Sequence, residues 1–489
     1  MSAQFVAIDL GAESGRAMLG RLHGGVLSLT ELRRFPNEPV DHHGSLQWDI
    51  LRLWFEIRRG LERAFDTPIA SIGVDTWGCD YALLGEQGNL LENPYHYRDS
   101  RTAGMMDAVW QRVSREQIYA VTGVQFLTFN TLYQLYAACR SSPRLIDAAT
   151  RFGTIPDLLN YWLTGNLVAE YTMATTTQFV DAKTRSWATG LLGDLDIPAR
   201  LLPRLVEPGT IVGEVQRDVC RGLAGTPVVL PACHDTGSAA ASVFAGGVTA
   251  FLSSGTWSLL GTELGAPVIT AKARDLNFTN EGGVCGTFRL LKNIGGLWLL
   301  QACRRSWAAS GEDVAYDALL HAAAGEQQAF RSLFDPDHRG FFQPADMLEA
   351  IGDYCRQTEQ PVPPSPPAFA RAVLESLAFK YRVVLESLEE LTGIRFECIR
   401  IVGGGSRNRL LNQFTADATG RSVIAGPIEA TALGNIAMQM LATGAVGSLD
   451  EARTIIERSF PVERFEPAVP ELWDAHYARF LDYVEMTCA

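Results

Sequence analysis

The first apolar run of the chain, Phe5–Ile8, leads at once into Asp9-Leu-Gly-Ala-Glu-Ser-Gly and then Arg16-Ala-Met-Leu-Gly. A short apolar run, a glycine-bearing turn and a returning apolar run predict a β-hairpin. A helix is expected near Asp49–Phe65, followed by a second apolar strand, Ile72-Gly-Val-Asp75. Several helical segments follow between about Thr102 and Thr164, and Thr226–Pro231 reads as a buried strand. That strand runs into Cys233-His234-Asp235 and a helix of small residues, Gly237–Val243.

The pattern then restarts. Thr249-Ala-Phe-Leu-Ser253-Ser-Gly255-Thr-Trp-Ser can be laid over Val6-Ala-Ile-Asp9-Leu-Gly11-Ala-Glu-Ser-Gly, with Asp9 over Ser253 and Gly11 over Gly255, an offset of 244 residues. Two copies of one α/β architecture would explain it; so short a match also arises by chance. Further on, Leu290–Arg304 reads as a turn feeding a helix. The proline-rich stretch 359–367 is a stiff connection whose last two prolines suit the start of a helix over Ala368–Leu391. A strand over Cys398–Val402, three glycines, a helix over Asn408–Thr419, another over Pro427–Leu441 and a polar helical tail complete the chain. Strands alternating with helices predict α/β domains.

Length narrows the choice further. At ~150 residues per domain the chain would hold about three, though two large α/β domains fit as well. With 47% hydrophobic and 20% charged residues the composition is globular. A net charge of −13 gives no electrostatic footprint for nucleic acid or an anionic membrane surface. Phosphate groups of a small ligand would have to be held locally. The nine cysteines are scattered and form no CxxC, the pattern of a reduced compartment without a disulfide framework or zinc site. The N-terminal segment does not read as a signal peptide, and no run of ~18 uncharged apolar residues predicts a membrane span. A cytoplasmic location is expected.

Five stretches could carry chemistry. In Asp9–Arg16, a strand-end carboxylate can hold Mg²⁺ through water, and the glycine turn after it can point N–H groups at phosphate oxygens. Ser253-Ser-Gly-Thr256 offers hydroxyls and N–H groups in the same way. Both also read as ordinary hairpin turns. Gly403-Gly-Gly405, between strand and helix, lets a ligand lie against bare backbone; it is equally a tight strand–helix turn, and its spacing does not suit a dinucleotide site. In His234-Asp235-Thr236 a carboxylate opens a helix, where it can accept a hydroxyl proton during phosphoryl transfer or serve only as a cap. Asp75-Thr-Trp-Gly78-Cys-Asp80 can present an indole face to a sugar, or be a turn with a core tryptophan.

Taken in order, these stretches resemble the FGGY-type carbohydrate kinases, which share the actin-like ATPase fold. Nearly the whole chain takes part. The segments that carry it are 6–16, 71–84, 97–102, 129–135, 170–178, 234–236, 252–259, 280–283, 291–301, 401–408 and 425–435. Asp75-Thr-Trp-Gly, Ser253-Ser-Gly-Thr-Trp-Ser and Lys292-Asn-Ile-Gly-Gly-Leu-Trp-Leu-Leu-Gln are similar to the rhamnulokinase branch of that family.

The resemblance implies two RNase H-like domains, 1–245 and 246–489, each a mixed sheet flanked by helices, facing a cleft and hinged near residue 245. It implies transfer of the ATP γ-phosphoryl group to the 1-hydroxyl of L-rhamnulose, with Mg²⁺. L-fuculose or a pentulose is the alternative acceptor. An actin-like ATPase without a sugar substrate is the alternative class. ATP and a small ketose would be the only partners. Ala12, Glu13, Ser14, Gly15 and Arg16 would form the first phosphate loop, and Thr256, Gln301 and Gly404 would hold the nucleotide. Gly78, His234, Asp235, Thr236 and Asn293 would hold the sugar, with Asp235 the general base and Asp9 on the metal. Glu13 departs from the family's small hydroxyl residues at that position. A carboxylate facing a triphosphate would be repelled, so it is expected to point outward.

Overall fold

The computed structural model describes residues 2–64, 68–244, 247–312 and 314–487. The expected hinge at residue 245 lies outside the described residues, as does Phe65 at the end of the first expected helix.

Packing divides the chain into two compact units, and the division is not a single cut. The first comprises Met1–Phe244, Glu263–Leu290 and Ala430–Pro461; the second comprises Ala245–Thr262, Leu291–Glu429 and Val462–Ala489.

In the first unit the strands are β1 (Ser2–Leu10), β2 (Ser14–His23), β3 (Val26–Pro36), β4 (Ser71–Thr76), β5 (Ile211–Glu214) and β6 (Pro227–Val229), in the order β5-β6-β4-β1-β2-β3. In the second unit the sheet contains the run β8-β7-β9-β10-β11, where β7 is Thr249–Ser254, β8 Trp257–Leu264, β9 Cys398–Val402, β10 Ser422–Ala425 and β11 Glu463–Phe465. The helices that matter below are α1 (Asp235–Ala241), α2 (Trp298–Ala309), α3 (Pro366–Thr392), α4 (Arg409–Thr419) and α5 (Ala430–Ala442).

The repeat in the sequence is a repeat of topology. β1 pairs antiparallel with β2 and parallel with β4, which puts Asp9 beside Asp75. β7 pairs antiparallel with β8 and parallel with β9, which puts Ser253 beside Val402. Each central strand thus ends next to a partner strand that runs into a glycine turn: Trp77-Gly78 after β4, Gly403–Gly405 after β9.

Hydrophobic burial explains why the late segment joins the first unit. Leu433, Ile436, Ala437 and Met440 recur at helical spacing on α5 and are buried with Phe5, Ala7 and Met18 of the sheet. Each large apolar side chain so placed contributes about 1.5–3 kcal/mol. Two expected helix starts match their caps. α3 starts with Pro366 and Pro367 in its first turn behind a Ser365 cap, and Asn408 caps α4. One expectation is corrected: Leu290–Gly295 is not a turn but the end of a strand, Phe288–Gly295, whose Phe288, Leu290, Leu291 and Ile294 are buried. Burial from Phe288 through Leu291 suits a strand, and only Gly296 and Leu297 connect it to α2. No helix among the described residues is long and apolar enough to cross a membrane.

Candidate active site

Asp9 and Asp75 lie side by side because β1 and β4 close on the same pattern, Val-Ala-Ile-Asp and Ile-Gly-Val-Asp, in parallel register. Burial first, and then the charge of Asp9, push the Asp75 carboxyl well above its ordinary value; a hydrogen bond from Asn435 opposes them without cancelling them. Asn435 Nδ2 donates to Asp75 Oδ2 at 2.6 Å, whereas the buried Oδ1 has no hydrogen-bond partner among the described residues. Leaving such an oxygen unpaired costs about 1–3 kcal/mol, so the site is built for a further donor or a cation. Arg16 Nε, directly across the hairpin, donates to Asp9 Oδ2 at 3.0 Å.

The loop between β1 and β2 is fastened from behind. Asn37, itself buried, donates from its backbone N to Glu13 O at 3.0 Å and from Nδ2 to Gly11 O at 2.8 Å. Ala12 and Ser14 are half-buried, Gly15 is packed against Phe35, and Glu13 is exposed, as its charge requires.

A second group forms where β6 runs into α1. His234 caps the helix and Asp235 is its first residue. Asp235 Oδ1 accepts from Thr236 N at 2.5 Å and from Thr236 Oγ1 at 3.2 Å. Desolvation raises the Asp235 carboxyl above its ordinary value, and His234 and the Thr236 bonds offset this only in part. The side chain keeps 28% of its surface exposed, against 9% for His234. Gly78 faces the imidazole so closely that a Cβ there would stand 3.2 Å from His234 Nε2. Gly78, His234, Asp235 and Thr236 are therefore together.

Behind Gly78 a buried network holds the tryptophans. Asp80 Oδ2 accepts from Trp48 Nε1 at 2.7 Å, Trp77 Nε1 at 2.9 Å and Tyr97 N at 3.2 Å, while Oδ1 accepts from Gln134 Nε2 at 2.9 Å. Even with these donors, burial keeps the Asp80 carboxyl up at about 6. Trp77, sequence-adjacent to Gly78, is thus pinned by its ring nitrogen.

The second unit gathers a different set. Leu297 N donates to Gly255 O at 3.0 Å and Trp298 N to Thr256 O at 3.1 Å, so the start of α2 is stitched to the β7–β8 turn. Gly296 makes this possible: a Cβ there would fall 2.6 Å from the Trp257 carbonyl carbon. Gly403, at φ +83°, lies against the Ser254 carbonyl, and a Cβ on Gly405 would come 2.6 Å from Ser254 Cβ. A Cβ on Gly404, by contrast, would meet nothing within 4 Å. Thr256, Gln301 and Gly404 thus sit on three segments joined at one turn. Gln301 Oε1 is buried with no hydrogen-bond partner among the described residues. Asn293 also belongs to this unit, on the strand that ends in Gly295. Asp337 fixes that end, accepting from Gly295 N at 2.7 Å, and is paired in turn with the buried Lys380 at 3.0 Å.

Residues 4–242 match the FGGY family of carbohydrate kinases, N-terminal domain, and residues 250–443 match its C-terminal domain. A rhamnulokinase of Bacteroides thetaiotaomicron is 46% identical over 99% of this chain and 100% of its own length. The chain belongs to the FGGY family of carbohydrate kinases. A rhamnulokinase of Oceanobacillus iheyensis is 42% identical over 95% of this FGGY kinase and 99% of its own length. Two solved structures share the fold at low identity. A gluconate kinase from Lactobacillus acidophilus has a TM-score of 0.79 at 17% identity, covering 100% of this chain and 97% of its own. A Plasmodium falciparum glycerol kinase with ADP has a TM-score of 0.79 at 18%, covering 100% and 99%. This FGGY kinase is therefore an ATP-dependent sugar kinase of two α/β domains, each a mixed sheet flanked by helices.

The sequence reading named Asp75 only within the stretch Asp75–Asp80, without pairing it with Asp9, and it missed Asn37. For Asp75 the signal was present, since two apolar runs closing on Asp predict neighbours in a parallel pair. Asn37 had none, being one polar residue among several in a loop.

Proposed function

We propose that this FGGY kinase transfers the γ-phosphoryl group of ATP to the 1-hydroxyl of L-rhamnulose, giving L-rhamnulose 1-phosphate and ADP. The 46% identity to a rhamnulokinase over the full length of both chains carries the assignment. The site chemistry agrees with it. Gly78, His234, Thr236 and Asn293 hold the sugar, and Asp235 takes the proton from its hydroxyl. The half-exposed, desolvated carboxyl at the head of α1 supports that role. Arg16 and the main chain of Ala12–Gly15 face the phosphates, with the Glu13 side chain turned to solvent. Thr256, Gln301 and Gly404 hold the nucleotide; the unpaired Gln301 Oε1 supports this.

The residues fit Mg²⁺. Asp9 would hold it through water, and the partnerless oxygen of Asp75 beside it belongs to the hard donor set that ion takes. Among the described residues no three acidic, His or Cys side chains gather as a metal cluster. An ion that keeps its waters and binds mainly to substrate phosphates needs none. When bound, Mg²⁺ supplies neutralisation of the phosphate charge. The reaction is placed in the cytoplasm, where thiols stay reduced; the eight described cysteines are all free, which fits.

The test is ADP release with Mg-ATP against L-rhamnulose, L-fuculose, L-ribulose and D-xylulose, with a sugar-free blank. Turnover only with sugar, and the highest kcat/KM on L-rhamnulose, is expected. A higher value on another ketose overturns the assignment of substrate. Hydrolysis at one rate with or without sugar overturns the sugar-kinase role.

Gly404 gives an independent check on the nucleotide site. With nothing near its Cβ position and no positive φ, Gly404→Ala should leave the thermal midpoint unchanged. A methyl group placed where ATP lies should raise the ATP KM by about tenfold, equal to ~1.4 kcal/mol. An unchanged ATP KM would show that the nucleotide does not lie against this glycine.

A further inference from the structure

Two buried charged residues behind His234 have no part in the reaction described so far. Glu281 lies on the strand Thr279–Gly282, and Arg289 on the next strand; their side chains are 5% and 1% exposed. Glu281 Oε2 stands 3.2 Å from His234 Nδ1 and 3.1 Å from Arg289 Nη2. Arg289 Nε donates to Gly282 O at 3.0 Å, which locks the guanidinium to the strand that carries Glu281. On the other side of the imidazole, Nε2 is 3.4 Å from Asp235 Oδ1. The four side chains therefore form a line, Arg289–Glu281–His234–Asp235, that ends at the proposed base.

The proton on the imidazole decides what this line does. Arg289 Nη2 is 3.4 Å from Nδ1 as well and could donate to a bare nitrogen there. Against that, Arg289 and His234 together outweigh burial and hold the Glu281 carboxyl below its ordinary value, so it is ionised. Its buried Oε2 makes ion-pair contacts but no aligned hydrogen bond. A buried carboxylate oxygen demands a donor. A proton on Nδ1, 3.2 Å away, puts a ring donor within reach of it.

We propose that Glu281, braced by Arg289, is a positioning residue that keeps the His234 proton on Nδ1, so that the Nε2 lone pair faces Asp235. This rests on Asp235 being the base. During transfer the sugar O–H bond breaks and its proton goes to the Asp235 carboxylate. The oxygen's electron pair forms the bond to the γ-phosphorus, and the bond from phosphorus to the ADP oxygen breaks. The new Asp235 O–H then donates to Nε2, which stabilises the protonated base at the moment it forms. With the other tautomer, Nε2–H would instead bond to the ionised carboxylate and make it a weaker base. An orienting group that sets a histidine tautomer acts in this way in other catalytic lines.

Two measurements test it. The first is the ¹⁵N imidazole spectrum of the wild-type enzyme, with His234 assigned by its loss in His234→Gln. Nδ1–H is expected; a bare Nδ1 with Nε2–H overturns the proposal and needs no buried substitution. The second is Glu281→Gln, whose kcat should fall by about 10- to 100-fold, the usual effect of removing such an outer partner. The sugar KM should hardly move, and Glu281→Asp should restore part of the rate. Wild-type turnover in Glu281→Gln overturns the positioning role while leaving the kinase assignment intact. Asp235→Asn, run alongside, separates the two: if it also turns over normally, the base itself is wrong.

Discussion

Asp235→Asn should lower kcat by roughly 10²- to 10⁴-fold, the range that a general base contributes, while ATP still binds. The substitution is chosen because it keeps the local structure. Asp235 Oδ1 accepts from Thr236 N and Oγ1, and the amide oxygen of Asn can accept both. Asp235→Ala would lose those bonds as well and mix a capping loss into the rate. Nucleotide affinity, measured by calorimetry without sugar, should be unchanged, since Asp235 is proposed to act on the sugar hydroxyl and not on the nucleotide. Near-normal turnover in Asp235→Asn would remove Asp235 from the mechanism.

As the proposed base, the same carboxyl should set the acidic side of the pH dependence. Burial raises the Asp235 value above the ordinary 3.8, and a base acts only when ionised. The rate is therefore full above the raised value and is lost as the pH falls through it. The acidic limb of kcat/KM should lie above the ordinary Asp range. A limb at or below it would assign that titration to another group.

Much of this was readable from the residues. The two hairpins, the strand before His234 and the helix caps follow from short apolar runs bounded by Gly, Ser and Pro, which are local signals. The resemblance proposes what local signals cannot, namely which of several ordinary-looking turns would meet a ligand. Neither could show the pairings made at long range. Asn435 reaches Asp75 across 360 positions, and Glu281 approaches His234 from a strand that the sequence does not connect to it. Such contacts exist only once β1, β4 and α5 are stacked. The single cut expected at residue 245 is linear for the same reason, whereas burial draws Ala430–Pro461 to the first sheet.

Gly434 lies in that late segment, and Gly434→Ala should have the largest structural effect of any single methyl group added to the first unit. In sequence it is a glycine inside an expected helix, where alanine would ordinarily stabilise by up to about 1 kcal/mol. The structure reverses the sign. A Cβ at Gly434 would overlap the carbonyl oxygen of Ser238 on α1 and come 2.6 Å from its carbon and 3.1 Å from Ser242 N. Those are backbone atoms of a helix and cannot rotate away. α1 is also tied down, with Ser238 Oγ donating to Ala232 O at 2.7 Å and Arg289 within 3.4 Å of a Cβ on Gly237. α5 must therefore shift against the sheet it covers. Overpacking of this kind costs about 1–3 kcal/mol, at the upper end here because no side chain can yield. The thermal midpoint should fall by about 5–10 °C, at ~2–4 °C per kcal/mol for a domain of this size. Because α1 begins at Asp235, kcat should drop at temperatures well below the new midpoint, with the ATP KM unaffected. A variant with wild-type midpoint and kcat would mean that α1 and α5 do not touch at this glycine, and that Asp235 is placed by something else.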